Sequence, residues 1–322
     1  MEKAENMPEY RDRRRVIYLI GVLLLLAGIA IFLLGPVEMY CFYLFSDGGV
    51  FHYEGFRFGS FMFGNIAGQI IGYYLIGGLL IPLGYGHLRL RNWARRLTLA
   101  TLWFWLIVGA PLTVLVFFIL LGSKDLTPFM GLLAAIFLGL AYFVLPVLFL
   151  RFYQSRDIKL TFKGQDTQPH WIDVLPIPIL VLGFLYAFYV VVFHLLILFN
   201  GMFPMFGSFW FEYNGIILLT CSIACFLCLL WGTLNRWIWA WWGALIAIGV
   251  LFVSTLITLF NSSYASILAG LNFPLAELEI LGGLPVQGYH FAILVGIPLL
   301  VSWVVVFLSR KHFRQDGCIS NR

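Results

Sequence analysis

The chain has 322 residues, of which 61% are hydrophobic and only 11% charged, and its mean hydropathy is +0.94. Soluble domains carry roughly 25% charged residues, so a water-soluble globule is excluded. Five cysteines and 32 glycines without a period exclude a disulfide scaffold and a collagen-like chain as well.

A hydrocarbon core of about 30 Å takes about 20 apolar residues in helical form. Eight stretches free of Asp, Glu, Lys and Arg approach or exceed that length. They run Val16 to Gly35, Phe61 to Gly84, Leu97 to Leu121, Phe129 to Leu150, Val174 to Phe199, Gly215 to Gly232, Trp237 to Phe260 and Phe291 to Leu308. Barrel strands are shorter and alternate, and a backbone in lipid must satisfy its own hydrogen bonds. The expected fold class is therefore all-α, a polytopic integral membrane protein with eight transmembrane helices.

Arg11, Arg13, Arg14 and Arg15 precede the first apolar run, as in a secretory signal. The run is too long for a signal core and lacks a small-x-small cleavage site, so it reads as a retained first helix. The following segment, residues 36–60, is rich in Phe and Tyr and carries a Ser46-Asp47-Gly48-Gly49 turn. His52 and Glu54, with Glu212 further along, form a candidate outer-face cluster for catalysis or metal binding. Solvated loop charges are the plainer explanation, because zinc-protease, serine-elbow and P-loop patterns are all missing.

In the second span Gly64, Gly68 and Gly72 recur every four residues, a doubled G-x-x-x-G that lets helix backbones approach. Asn65, Gln69 and Tyr73 recur beside that ridge as a polar stripe. Such a stripe faces protein or a wet cavity: interhelical hydrogen bonding is the plain reading, a site for a headgroup or small solute the sharper one. Residues 154–173 form the longest connection on the cytoplasmic side. There Ile158, Leu160 and Phe162 alternate with Asp157, Lys159 and Thr161, the period of an extended segment.

His194 is the one histidine inside the eight stretches. Alone, it reads as a core histidine bonded to a carbonyl or hydroxyl, not a haem ligand, and no cofactor is implied. Cys221, Cys225 and Cys228 share one helix face and read as small packing residues, without a second ligand pair for a metal. Trp231, Trp237, Trp239, Trp241 and Trp242 fit an interfacial aromatic belt. Pro274 and Gly282-Gly283 bracket a short helix whose Glu277 and Glu279 are expected in water.

Eight spans put both termini on one side, and 18 of the 20 Lys and Arg residues fall there; only Arg57 and Lys124 fall opposite. The positive-inside rule then places both termini in the cytoplasm and the protein in the cytoplasmic (plasma) membrane. The basic segments adjoin span ends, where anionic lipid headgroups account for them. Nucleic-acid motifs are absent. Gly59-Ser60-Phe61-Met62-Phe63 is echoed by Gly207-Ser208-Phe209-Trp210-Phe211, aligning Gly84 with Gly232, and Asn92-Trp93 by Arg236-Trp237. These echoes suggest a parallel 4+4 repeat, with units 1–156 and 157–322 in a single bundle.

The spans hold no carboxylate or basic side chain, which weighs against a proton pump. The leading expectation is a non-enzymatic packing or partner-binding membrane component, whose partner is another membrane protein or a second copy of the chain. The first alternative is a permease or lipid-handling protein with a cavity between its halves, lined by Asn65, Gln69, Tyr73 and His194. The second is a membrane enzyme with its site at His52, Glu54 and Glu212.

Overall fold

A computed structural model of the chain describes residues 11–53, 55–122, 127–166, 168, 170–284 and 286–313. It is almost wholly helical, and eight of its helical segments are long and apolar enough to cross a membrane. The first three spans are α1 (Arg14–Phe45), α2 (Phe61–Leu88) and α3 (Asn92–Gly122). The fourth joins α4 (Pro128–Gly139) to α5 (Leu145–Gln154) through one π turn at Leu140–Val144. Pro146, at the start of α5, has no N–H for the Tyr142 carbonyl and its ring crowds that oxygen, so the helix widens just ahead of it.

Two short helices follow, α6 (Arg156–Gln165) and α7 (Trp171–Val174), then the fifth span α8 (Ile177–Leu198). A two-stranded hairpin, β1 (Phe203–Met205) and β2 (Ser208–Trp210), leads to the sixth and seventh spans, α9 (Glu212–Leu234) and α10 (Ile238–Asn261). Short helices α11 (Tyr264–Leu271) and α12 (Leu275–Gly282) precede the last span, α13 (Gly288–Leu308). Both described termini share one end of the bundle, called here the basic end; the hairpin, α11 and α12 occupy the other, the hairpin end.

Within each half the first span pairs with the second and the third with the fourth. Across the halves α3 packs on α8 and α13. The main core surrounds α8, where Ile179, Leu182, Leu185 and Tyr186 are fully buried.

The α1–α2 pair shows how helices associate where lipid offers no hydrophobic drive. Gly21, Gly28 and Gly35 on α1 face α2, and Gly77 and Gly84 on α2 face α1. A methyl at Gly84 would sit 2.6 Å from the Leu25 nitrogen, and one at Gly28 2.9 Å from the Ile81 nitrogen. The backbones are therefore in contact. These glycines repeat every seven residues, the spacing that keeps a seam in register in a left-handed pair. The expected ridge does less: a methyl at Gly64 would meet the Phe199 ring, one at Gly68 would sit 3.6 Å from Leu195, and one at Gly72 would meet nothing within 4 Å.

Several expectations are corrected. Residues 156–165 are helical, not extended, because Ile158, Thr161 and Phe162 fall on one buried helical face. Trp241 is no interfacial anchor but core: its Nε1 donates to the Val306 carbonyl (2.8 Å) and Arg310 lies 5.3 Å above its ring. Trp231, Trp239 and Trp242 stay exposed, as a belt requires. Cys221, Cys225 and Cys228 are exposed on the outside of α9 rather than packed. The Gly59/Gly207 echo also dissolves, since Ser60 caps α2 through the Phe63 N–H whereas Ser208 opens a strand.

A different correspondence replaces it. In the α2–α3 turn, Arg91 N–H bonds to the Gly86 carbonyl and Leu90 N–H to that of His87; in the α9–α10 turn, Trp237 bonds to Gly232 and Arg236 to Thr233. Leu90 (φ +50°) and Arg236 (φ +63°) both adopt the left-handed conformation that closes such a helix end. Gly86 accepts the Trp93 ring and Ala94, and Gly232 the Trp239 ring and Ala240. Gly86, not Gly84, thus matches Gly232, and Trp93 matches Trp239: each glycine sits where an indole folds back over the turn.

At the basic end the link between halves is tied to the start of α3. Asp166 accepts from the Asn92 N–H (2.7 Å) and from Arg91 Nη1 (3.0 Å), and Asn92 Nδ2 donates to Asp173 (2.8 Å). Carboxylates at a helix N-terminus are favoured by its unpaired N–H groups.

Gly84→Ala should destabilise the protein by about 1–3 kcal/mol, the usual cost of overpacking. Gly72→Ala should be neutral, since its added methyl meets no atom. Thermal unfolding in detergent monitored by tryptophan fluorescence checks both; equal effects would remove the seven-residue seam as the determinant.

Candidate functional site

At the hairpin end, between the halves, lies a cavity of about 580 Å³. Its volume falls within the range of small-molecule sites, about 300–1,000 Å³. Val108 and Leu112 of α3 and Phe61 of α2 contribute from the first half. The second half supplies the rest, including Tyr189, Val192 and Leu196 of α8, Leu251 of α10 and Leu299 of α13. Pro298, in the same wall, cannot donate to the Leu294 carbonyl, so α13 lacks one internal bond beside the cavity.

Three hydroxyls line the space, those of Tyr189, Thr255 and Tyr264, and two of them bond within the protein. Ser302 Oγ donates to the Pro298 carbonyl (2.7 Å) and lies 2.6 Å from the Tyr189 hydroxyl. Tyr264 OH donates to the Leu281 carbonyl (3.0 Å). The wall presents aliphatic and aromatic carbon almost throughout. Burial raises the Tyr264 phenol above its usual pKa, keeping it neutral.

Three short elements cover the cavity from the hairpin end and leave it partly open. The hairpin turns at Phe206 (φ +41°) and Gly207 (φ +110°), the paired positive angles of a tight two-residue loop. Ser254 and Thr258, one turn apart on α10, accept from the Phe206 and Gly207 N–H groups at 3.0 Å each, and Ser254 returns a bond to the Pro204 carbonyl. Ser254 lies seven residues inside the end of α10 at Asn261, so the hairpin re-enters the bundle by about 10 Å. Its Pro204 and Phe209 line the cavity.

The helices α11 and α12 cover the remainder with Ile267, Leu268, Leu271, Phe273 and Leu281. Glu277 was expected in water; it is only 8% exposed. Its Oε2 accepts from the Phe61 N–H (2.7 Å) and its Oε1 from the Met62 N–H (3.1 Å). The carboxylate thus caps α2 from a distant element while Ser60 caps the third N–H. Burial, and then the adjacent Glu277 charge, raise the Tyr53 phenol pKa, with Arg57 opposing. Glu279 remains exposed, as expected.

The four residues expected to line a cavity do not form this wall. His194 is exposed, with Nδ1 2.7 Å from the Val190 carbonyl of its own helix. It lies two residues from both Val192 and Leu196, about 160° round the helix from the cavity. Asn65 is exposed, and Tyr73 OH reaches Gln69 Oε1 at 3.4 Å. In the outer-face cluster His52 Nδ1 sits 3.4 Å from Asp47, and Glu212 opens α9 with its N–H on the Asn200 carbonyl. Glu54 lies outside the described residues. Among the described residues no three His, Cys, Asp or Glu side chains come near enough to hold a metal.

Sequence reasoning also missed a buried histidine. The second span extends past Gly84, which brings His87 inside, 2.7 Å from both the Leu83 carbonyl and the Tyr153 hydroxyl. This pair ties α2 to the fourth span, with Phe162 of α6 edge-on to the imidazole.

No protein-family model matches this chain, and no curated protein or solved structure matches it.

Glu277→Ala should release the two α2 N–H groups and lower stability by about 2–4 kcal/mol, charged hydrogen bonds being worth about 1.5–3 kcal/mol each in less coupled settings. Glu277→Gln keeps one good acceptor and should lose roughly half as much. Thermal unfolding ranks the two, and limited proteolysis after residue 271 should accelerate in the same order.

Proposed function

We propose that the chain is a lipid-handling membrane protein that takes a hydrocarbon chain of a lipid into the cavity between its halves. The cavity's volume and apolar wall carry this reading. Such an apolar wall gains about 25 cal/mol for each Å² kept in contact with hydrocarbon rather than water. Water is a poor filler, since a buried water needs two to four polar partners, and of the lining hydroxyls Tyr189 and Tyr264 bond within the protein, which leaves Thr255. Hydrocarbon is the remaining medium, and it surrounds the spans.

The reading includes the orientation given by the Lys and Arg asymmetry: the basic end in the cytoplasm against anionic headgroups, and the hairpin end outside the cytoplasmic membrane. It also includes two four-helix units, which the matched α2–α3 and α9–α10 turns and the shared pairing order support. A partner-binding role is the second reading. The fourth span favours it, since among the described residues it packs chiefly on α3, with His87 of α2 at its basic end, and leaves Phe129 and Phe137 exposed to lipid or another helix.

Leu268→Trp and Leu251→Trp place an indole in the cavity. Each should reduce co-purifying lipid, measured by mass spectrometry of the detergent-solubilised protein, at least fivefold with unfolding temperature held or raised. Lipid content unchanged in both folded variants would refute chain binding. In a background with native cysteines replaced by serine, a membrane-impermeant maleimide should label Leu275→Cys from outside intact cells and leave Lys163→Cys unlabelled; the reverse pattern would invert the orientation.

A further inference from the structure

The stripe beside the glycine ridge of α2 acquires a role once the cavity is placed. Phe61, Asn65, Gln69 and Tyr73 follow one another at four-residue spacing, and the first of them lines the cavity. The α2–α8 contact runs Gly64 to Phe199 and Gly68 to Leu195. In an antiparallel helix pair, the residues one step beyond the contact on each helix share a flank. Gln69 and Leu196 are those residues, and Leu196 is cavity wall. Asn65 and Gln69 therefore stand on the flank of α2 that faces the cavity, beside its wall rather than inside it. His194, one step before the contact, stands on the other flank.

These amides lack protein partners for their donors. Among the described residues Asn65 forms no hydrogen bond, and Gln69 forms one, accepting at Oε1 from Tyr73. Their NH₂ groups stay available at the edge of the hydrocarbon, which itself supplies no acceptor. With 28 residues, α2 is about 42 Å long against a core of about 30 Å. Its first turn thus reaches the headgroup layer. Asn65 then lies near the level of lipid ester carbonyls, with Gln69 one turn deeper. From residue 58 to residue 88 α2 and its approach carry no Asp, Glu, Lys or Arg, so α2 offers no charge of its own to pair with an ionised group beside the stripe.

We propose that Asn65 and Gln69 donate hydrogen bonds to the ester carbonyl oxygens of a glycerolipid, one of whose acyl chains occupies the cavity. This deepens the reading above and rests on it. A glycerolipid offers two ester carbonyls, one for each amide. A hydrocarbon chain without esters would fill the cavity and leave both amides unpaired.

The test compares two probes with the same choline headgroup and chain length: dioleoyl phosphatidylcholine and its diether analogue, whose carbonyls are replaced by methylenes. The full-length protein in detergent is equilibrated with an equal mixture, washed, and its retained lipid quantified by mass spectrometry. Wild type should retain the diester at least fivefold over the diether. Asn65→Leu/Gln69→Met should retain both equally, at the diether level, and the near-isosteric Gln69→Met alone should fall between should the double variant fold poorly. Equal retention of both lipids by wild type, or an undiminished preference in Gln69→Met and in the folded double variant, overturns the ester assignment while leaving chain binding intact. Retention of neither lipid by wild type, or retention unaffected by Leu268→Trp, overturns chain binding itself.

Discussion

Apolar side chains gain nothing by leaving hydrocarbon for one another, so a helical bundle in a membrane must find cohesion in close backbone contact and in polar groups that have no better partner. This constraint explains the uneven build of the protein. Where helices touch closely, as along the Gly21–Gly28–Gly35 face of α1, the side chain has been removed altogether. Elsewhere the bundle is joined at its ends by carboxylates on helix N-termini: Asp166 on α3 and Glu277 on α2. Both carboxylates come from short elements outside the spans, so the connections are structural parts of the bundle rather than passive loops.

The same economy produces the cavity. Helices α8, α10 and α13 are held by core contacts that include the Trp241–Val306 and Tyr189–Ser302 bonds. Toward the hairpin end the space between them is covered by a hairpin and two helices of eight residues each, too short to fill it with side chains. Ser254 and Thr258 hold the hairpin through its turn amides, and Glu277 holds the helical cover to α2. The result is a largely carbon-lined space whose two lining phenols, Tyr189 and Tyr264, bond within the protein. Beside it run two side-chain amides with unused donors, a polar edge next to an apolar interior, which is the pattern of an amphiphile.

Much of this was legible in the chain. The lengths of the apolar runs gave the eight spans, because only self-bonded helices cross lipid. The bracket of Pro274 and Gly282-Gly283 located α12. Other features were misread for identifiable reasons. The G-x-x-x-G ridge drew attention from the seven-residue glycine spacing, which was visible in Gly21, Gly28, Gly35, Gly77 and Gly84 and is equally a packing signal. Residues 156–165 have apolar positions compatible with both period two and a helical face, and local alternation alone does not separate them. Glu277 reads as solvated because it sits on a short helix outside the spans; only the arrival of the α2 N-terminus, more than 200 residues earlier in sequence, gives it partners.

Local hydropathy and charge set which segments enter lipid, how many there are, and where positive charge gathers. Those follow from transfer of each segment between water and hydrocarbon, a property of the segment alone. Tertiary structure decided which polar residues are enclosed and where space remains, because both depend on elements distant in sequence meeting at one depth. His87 and Glu277 went inward and His194 outward for that reason, and a cavity built by seven separate helices and a hairpin has no signature in any one of them.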